Sequence, residues 1–328
     1  MLTKIDAAVA LLEAGKLVAF PTETVYGLGG DALNPHAVSQ IYAVKGRPDN
    51  HPIIVHLPPG SDPEYWVDHL SDKARRLIDM FWPGPLTIIL KRAKRIPACI
   101  SGGQDSIGLR CPLHPVAQAL LIEFSKRCGG DCGIAAPSAN RFGHVSPTTA
   151  QHVQDEFGDT IYVIDGGPSE FGIESTILDL SRDVPVLLRP GPVTYQNIAD
   201  AIDYPMNFLK GCSSKLNILR APGTLKSHYS PRTPLSLLPF DVLKKLLSLR
   251  KRREKFALFA YSSMAIQLAK VADIHFIAAP KDPDTYAREM YGTLRALDLA
   301  CVEHILVEKP SDSNEWIAIN DRLSRAAA

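Results

Sequence analysis

Lys45 and Arg47, separated by one residue at the end of a predicted helix, are the pair in this sequence best suited to polyphosphate recognition. An ammonium and a guanidinium converging on one loop offer charge-assisted hydrogen bonds that contribute roughly 1.5–3 kcal/mol each. Pro48 disfavours the helical conformation at Arg47 and predicts a guanidinium aimed away from the helix. Upstream, PTETVYGLGGDA groups Thr22, Glu23, Thr24 and Tyr26 ahead of Gly27, Gly29 and Gly30. Hydroxyls and a carboxylate followed by glycines suit a loop whose backbone passes close to a small ligand. Arg110 and Arg189 each end a predicted strand ahead of Cys-Pro or Pro, a placement that suits bidentate capture of a carboxylate. Pro137-Ser138-Ala139-Asn140, with Arg141 and Ser146 behind it, leaves an apolar strand as a loop of hydroxyl, amide and guanidinium groups. GGPSEFGIEST at 166–176 is a further such loop. Taken singly, these are also what a helix end facing its dipole, or surface arginines, look like. Four such loops in one domain favour a ligand cleft.

The elements that must hold these loops follow from apolar runs and their stops. Leu17–Phe20 and Pro52–Leu57 read as buried strands, with a helix between them capped by Asn34, opened by Pro35 and stopped at Gly46. Strand, helix and strand in that order predict a crossover unit with functional loops at its strand ends. Thr3–Ala14 reads as an opening amphipathic helix. Ser71 caps a helix with Ala74, Leu77, Ile78 and Phe81 as its stripe, Leu86–Leu90 is a strand, and a further strand ends at Arg110. Helix 115–125, strand 134–136, helix 148–157 and strands at 161–165, 176–180 and 186–188 complete this half. Gly27-x-Gly29-x-x-Ala32 imitates a dinucleotide fingerprint. Six residues separate it from the strand and no acidic residue closes the second strand, so the reading is against NAD or flavin.

From Asn207 the chain turns polar and Pro/Gly-containing through 207–234, the pattern of a linker, yet Lys226, His228, Tyr229 and Arg232 concentrate in it as in an active-site lid. Beyond it, apolar runs 256–260, 274–277 and 305–307 alternate with helical stretches 239–250, 283–300 and 313–325, which predicts a small parallel sheet. The expected division is therefore 1–206, a linker at 207–234, and 235–328. The basic run Lys244–Lys255 has the charge to touch RNA, but reads better as a solvated helix end.

Composition adds bounds. A chain of 328 residues, 45% hydrophobic and 22% charged, is ordinary for two soluble domains. A net charge of +1 gives no global field, so any nucleic-acid contact must be a local patch. The apolar stretch AAVALL is too short for a signal peptide or membrane span, and the expectation is a cytoplasmic protein without a membrane partner. Six cysteines show no metal-type pairing, so neither zinc nor any other protein-bound metal is expected.

Through PTETVYGLGGDA, KGRPDNHPIIVHL, SIGLRCP, APSANRFGHVSPTT, ESTILDL, LRPG and HYSP, the chain resembles the Sua5/YrdC family in its two-domain form, over essentially its whole length. The resemblance implies an α/β fold, with an N-terminal twisted mixed sheet surrounded by helices and a smaller C-terminal Rossmann-like domain with a parallel sheet. It implies a nucleotidyltransferase that joins L-threonine, bicarbonate or CO2 and ATP into threonylcarbamoyl-AMP and pyrophosphate. The product would serve the t6A modification of tRNA adenosine 37, with Mg2+ accompanying ATP and the t6A transferase machinery as partner. By position, Thr24, His56, Arg110, Ala136 (through its backbone) and Thr176 would hold threonine. Arg47, His51, Ser106, Ser138, Ser146 and Arg189 would hold ATP, with His228 or Tyr229 closing from the linker. Lys45 and Asn140 would lie by the phosphates, with Lys45 and Arg47 as the catalytic pair. The competing class is a tRNA- or double-stranded-RNA-binding module without catalysis. A carbamoyl-transfer module of hydrogenase maturation would carry paired CxxC segments, which this sequence lacks.

Overall fold

Asn34 starts the helix that carries Lys45. Its side chain accepts from the His36 and Ala37 N–H groups, Pro35 occupies the first helical position, and Gly46 at φ +62° ends the helix in the left-handed region that a residue with a Cβ resists. Replacing Asn34 by Ala removes the cap. Urea unfolding is expected to show a loss of about 1 kcal/mol with an unchanged denaturant slope.

The structure is a computed structural model and describes residues 2–205, 219–249, 255–271 and 274–328. By its internal contacts the chain forms two units, Met1–Phe142 with Pro147–Thr224, and Gly143–Ser146 with Leu225–Ala328. The expected boundary at 206, the linker residues 207–218 with Cys212, and residues 250–254 of the basic run lie outside the described residues.

The first unit is built on strands β1 (Val18–Phe20), β2 (Gly27–Asp31), β3 (Ile54–His56), β4 (Leu86–Lys91), β5 (Ser106–Arg110), β6 (Ile134–Ala135), β7 (Tyr162–Val163), β8 (Thr176–Asp179) and β9 (Val186–Arg189). They form one mixed sheet in the order β7-β1-β2-β6-β3-β5-β4-β8-β9. Around it lie helices α1 (Leu2–Glu13), α2 (Pro35–Lys45), α3 (Asp72–Phe81), α4 (Pro115–Arg127), α5 (Ala150–Phe157) and α6 (Tyr195–Ile202). Alternation along the strands sorts side chains to two faces. Val18, Phe20 and Ile134 pack on Val9 and Leu12 of α1 and Phe124 of α4, while Ala19 and Ala135 join the core that holds Leu77 of α3 and Ile198 of α6. The same alternation puts Ile53, Val55, Leu57, Ile107 and Leu109 into that second core. Ile54, His56, Ser106 and Arg110 are thereby left on the opposite face of β3 and β5.

Two expectations are corrected here. The glycines after Tyr26 do not form a ligand loop. They are strand β2, antiparallel to both β1 and β6. A Cβ on Gly29 would lie 2.7 Å from the Phe20 ring and from Ile134, so glycine is required by packing, which outweighs its poor strand propensity. The crossover accordingly runs β2–α2–β3, and β1 is antiparallel to β3 through the chain of pairings. Helix α6, opened by a Thr194–Asn197 capping box, was not read from the sequence although that signal is present.

The second unit holds β10 (Leu235–Leu238), β11 (Phe256–Ala260), β12 (His275–Ala278) and β13 (His304–Glu308) in the order β10-β13-β11-β12, all parallel. Its helices are α7 (Phe240–Leu249), α8 (Ser263–Val271), α9 (Pro283–Asp298) and α10 (Ile317–Ala326). Strand β10 and helix α8 are additions to the sequence reading. Glu308 is buried, and its Oε2 accepts from the Tyr261 and Ser262 N–H groups at 3.1 and 2.9 Å. The anion position ahead of α8 is thus filled by the protein's own carboxylate.

Candidate active site

The Lys45 side chain turns into the protein rather than into solvent. It is 3% exposed, and Nζ donates to the Ser138 carbonyl at 2.6 Å and to the Asn140 carbonyl. The Phe142 N–H donates to the Lys45 carbonyl at 2.8 Å, so main chain and side chain together stitch the end of α2 to the 138–142 loop. Burial, then the Arg47 charge, hold the Lys45 ammonium well below the ordinary lysine range, opposed by Glu156.

Arg47 is buried and bonded within the loop that follows the helix. Its guanidinium lies across the loop, Nη2 donating to the Pro52 carbonyl at 2.8 Å and Cζ standing 5.7 Å from the centre of the Phe142 ring. The carbonyls at the start of β3 outcompete solvent for it. His51 meets the same Phe142 ring edge-on at 5.5 Å, and burial, Arg47 and Arg220 lower its pKa. Lys45 and His51, both depressed by burial and then by Arg47, gain from an anion placed beside them.

A second cluster surrounds Arg110, at the end of β5. Its Nε donates to the Gly84 carbonyl at 3.2 Å, Nη1 to Thr24 Oγ1 at 2.9 Å and Nη2 to Glu23 Oε1 at 2.6 Å. Thr22 Oγ1 donates to the Val25 carbonyl at 2.6 Å, so in its 2.9 Å contact with Thr24 it is Thr24 that donates. The loop hydroxyls therefore form a relay that orients Arg110, whose terminal nitrogens each keep one N–H for a ligand. His56 is the register partner of Arg110 in the parallel β3–β5 pair and shares its face. Burial and the Arg110 charge push its pKa down to about 3, so the ring is neutral, and its buried Nδ1 has no hydrogen-bond partner.

Over strands β3, β5, β4 and β8 lies a shallow cleft floored by Ile54, Ile89, Gly108 and Ile177 and edged by Ser106 and Thr87. Arg189 is buried beside it, Nε on the Ser175 carbonyl at 3.0 Å and Nη2 on Ser175 Oγ at 3.1 Å, while Ser175 Oγ lies 2.8 Å from Thr87 Oγ1. From Pro52, which touches Arg47 and lines this cleft, to His56 at the second cluster, the extended chain spans about 13 Å. Ala136 joins the clusters from below: its N–H bonds to the Ile54 carbonyl at 3.0 Å, leaving only its own carbonyl for a ligand. Ser138 is half-buried and bridges to Gly27, and Asn140 is buried with Nδ2 on the Arg141 carbonyl.

Thr176 is not where the sequence reading put it. Its hydroxyl donates to the Val193 carbonyl at 2.7 Å and accepts from the Val193 N–H at 3.0 Å, and Leu178 two residues on belongs to the opposite core. Strand alternation turns Thr176 away from Arg110 and presents Ser175 instead. Ser175, Phe142 and the carboxylate of Glu23 are the contributors that sequence reading passed over as site residues. Glu23 was visible in its loop, but nothing local marked Arg110, many residues distant, as its partner.

Ser146, His228 and Tyr229 belong to the second unit. Ser146 is fully buried. The His228 N–H donates to the Arg325 carbonyl at 3.1 Å and its ring meets Tyr229 at 4.2 Å. Tyr229, at φ +63°, stacks on Tyr291 with Arg322 over its ring. Among the described residues, no group of three His, Cys, Asp or Glu could hold a metal ion, and no helix is long and apolar enough to cross a membrane.

A mixed α/β sheet bearing buried cations at one end of β3, an arginine with its carboxylate at the other and an apolar cleft between defines a ligand-binding α/β domain joined to a small parallel-sheet unit. The family model described as "Telomere recombination", covering Sua5, YciO and YrdC, matches residues 10–191. The model described as "Threonylcarbamoyl-AMP synthase, C-terminal domain" matches 193–328. The threonylcarbamoyl-AMP synthases of Pyrococcus abyssi and Bacillus subtilis are each 36% identical to the chain over 99% of its length, covering 94% and 93% of their own. The crystal structure of P. abyssi Sua5 complexed with L-threonine is 34% identical, with a TM-score of 0.85 over 98% of this chain and 94% of that one. The chain belongs to the Sua5/YrdC family, in its two-domain form.

Proposed function

We propose that this chain is a threonylcarbamoyl-AMP synthase, which condenses L-threonine, CO2 or bicarbonate and ATP and releases pyrophosphate. The observation that carries the reading is the pairing, along one strand, of the Lys45–Arg47 cations with the Arg110–His56 cluster. One end suits a triphosphate and the other a small hydroxy-amino acid.

Arg110 offers its two remaining N–H groups to the threonine carboxylate, held in orientation by Thr24 and Glu23. Neutral His56 offers Nδ1 to the threonine hydroxyl, and the Ala136 carbonyl closes that side. Thr176 acts through the loop it staples rather than through its hydroxyl. Ser106 and Arg189 border the nucleotide at the cleft, with His51, Ser138 and Asn140 beside the phosphates. Ser146, with His228 or Tyr229, is read as binding the nucleotide. The substrate amine attacks CO2 to give the carbamate with loss of a proton, and a carbamate oxygen then attacks the α-phosphate as pyrophosphate leaves. Lys45 and Arg47 stabilise the charge that grows on the phosphate and the leaving group, so catalysis is positioning and electrostatics without a protein nucleophile. Mg2+ bound with ATP would share that charge. The product is the activated group that t6A transferase machinery places on tRNA adenosine 37.

Incubation with ATP, Mg2+, bicarbonate and each amino acid in turn is expected to yield an adenylate of threonylcarbamoyl mass, and pyrophosphate, with threonine alone. Absence of threonine-dependent pyrophosphate, with RNA retained on the protein, would support a binding module instead.

A further inference from the structure

Glu23 is 1% exposed, and only one of its oxygens is engaged: Oε1 accepts from Arg110, while Oε2 is buried without any hydrogen-bond partner. A carboxylate oxygen stripped of water and left bare is costly, and an ion pair serving only to brace Arg110 has no need of one. The groups that feel the Glu23 charge do not relieve it. Cys111, next to Arg110, has a thiol pushed up to about 12 by burial and then by Glu23, and His114 accepts from the Val116 N–H at Nδ1 and bonds the Gly166 backbone, and neither is bonded to Oε2. Beside the bare oxygen, Arg110 keeps an N–H on each terminal nitrogen. The open valences of this pair are thus a cationic donor set and an anionic acceptor side by side, which complement a molecule carrying a carboxylate and an ammonium on one carbon.

We propose that Glu23 Oε2 receives the α-ammonium of the amino-acid substrate while Arg110 receives its carboxylate, so that the ion pair itself selects an α-amino acid. This deepens the threonine reading and rests on it. Glu23 is then a binding residue in its own right, and its bond to Oε1 is what fixes the spacing of the two recognition points.

Calorimetric titration compares L-threonine with (R)-3-hydroxybutanoate, which keeps the carboxylate and hydroxyl and lacks the ammonium. The wild-type protein is expected to prefer threonine by about 10²-fold. Glu23→Gln keeps an acceptor for Arg110 and turns an amide N–H toward the ammonium. It is expected to lose threonine affinity by about 10²-fold while binding the hydroxy acid within about threefold of wild type. Retained ATP affinity certifies the variant's fold, and if it does not fold, the wild-type discrimination decides alone. Comparable wild-type affinity for the two ligands would mean that water satisfies Oε2 and overturns the proposal, as would equal loss of both ligands in the variant, the mark of a bracing role. Wild-type protein that binds no threonine overturns the functional reading and this one together.

Discussion

Lys45→Ala is expected to lower the rate of threonine-dependent pyrophosphate release by about 10²- to 10³-fold, the scale of removing one preorganised electrostatic group. An ammonium has three N–H groups, and Lys45 commits two of them to the Ser138 and Asn140 carbonyls. The third remains for a phosphate oxygen. The substitution therefore acts twice: the lost charge lowers kcat, and the released 138–142 loop raises KM for ATP. A second signature follows from the lowered pKa of the buried ammonium. Phosphate oxygens offset burial and the repulsion from Arg47, so the ammonium is favoured in the complex. Binding ATP should then take up protons, and affinity should fall as pH rises above the value Lys45 has in the free protein. Calorimetry in buffers of different ionisation enthalpy reads this uptake. A wild-type rate in the variant, or proton uptake that persists in it, would remove Lys45 from the phosphate site.

The second large effect concerns stability in acid. His56 has its folded-state pKa pushed down to about 3, against about 6.5 in an unfolded chain, so unfolding takes up a proton throughout the window between them. A depressed folded pKa means that stability is fully present above the unfolded value and is lost as pH falls. His56 alone should cost the protein about 2 kcal/mol between pH 7 and pH 5, and about 3 kcal/mol by pH 4. His56→Gln lacks the titrating group. Its stability difference from wild type, measured by urea unfolding, should shift in the variant's favour by those amounts as pH falls. Parallel curves would show that the imidazole is hydrated in the folded protein. The cause is the same that suits the ring to a neutral hydroxyl: burial, and then Arg110 on the neighbouring strand, disfavour a positive charge there.

Much of the scaffold was legible because it is local. Asn34, Pro35 and Gly46 bound α2 through their own backbone preferences, and Ser71 caps α3 through a bond to Ala74 three residues on. The parallel strands of the second unit announced themselves as apolar runs between helices, whereas the short β10, LSLL beside a polar linker, had too little apolar contrast to stand out. The glycine-rich β2 misled because its strand character comes from neighbours, above all the Phe20 ring lying against Gly29.

The site divides along the same line. Residue types and their spacing determined by themselves that cations, hydroxyls and arginines crowd the strand ends; the family and the chemistry it implies came from the resemblance carried by the whole motifs. What each side chain does was decided only in three dimensions. Thr176 faces away because strand alternation is counted from the register with β4, not from its own motif. Thr24 spends its hydroxyl on Arg110, Arg47 donates to the Pro52 carbonyl, and Glu23 meets an arginine far along the chain. Hydrogen bonds and ion pairs depend on distance in space, and a sequence records only distance along the chain.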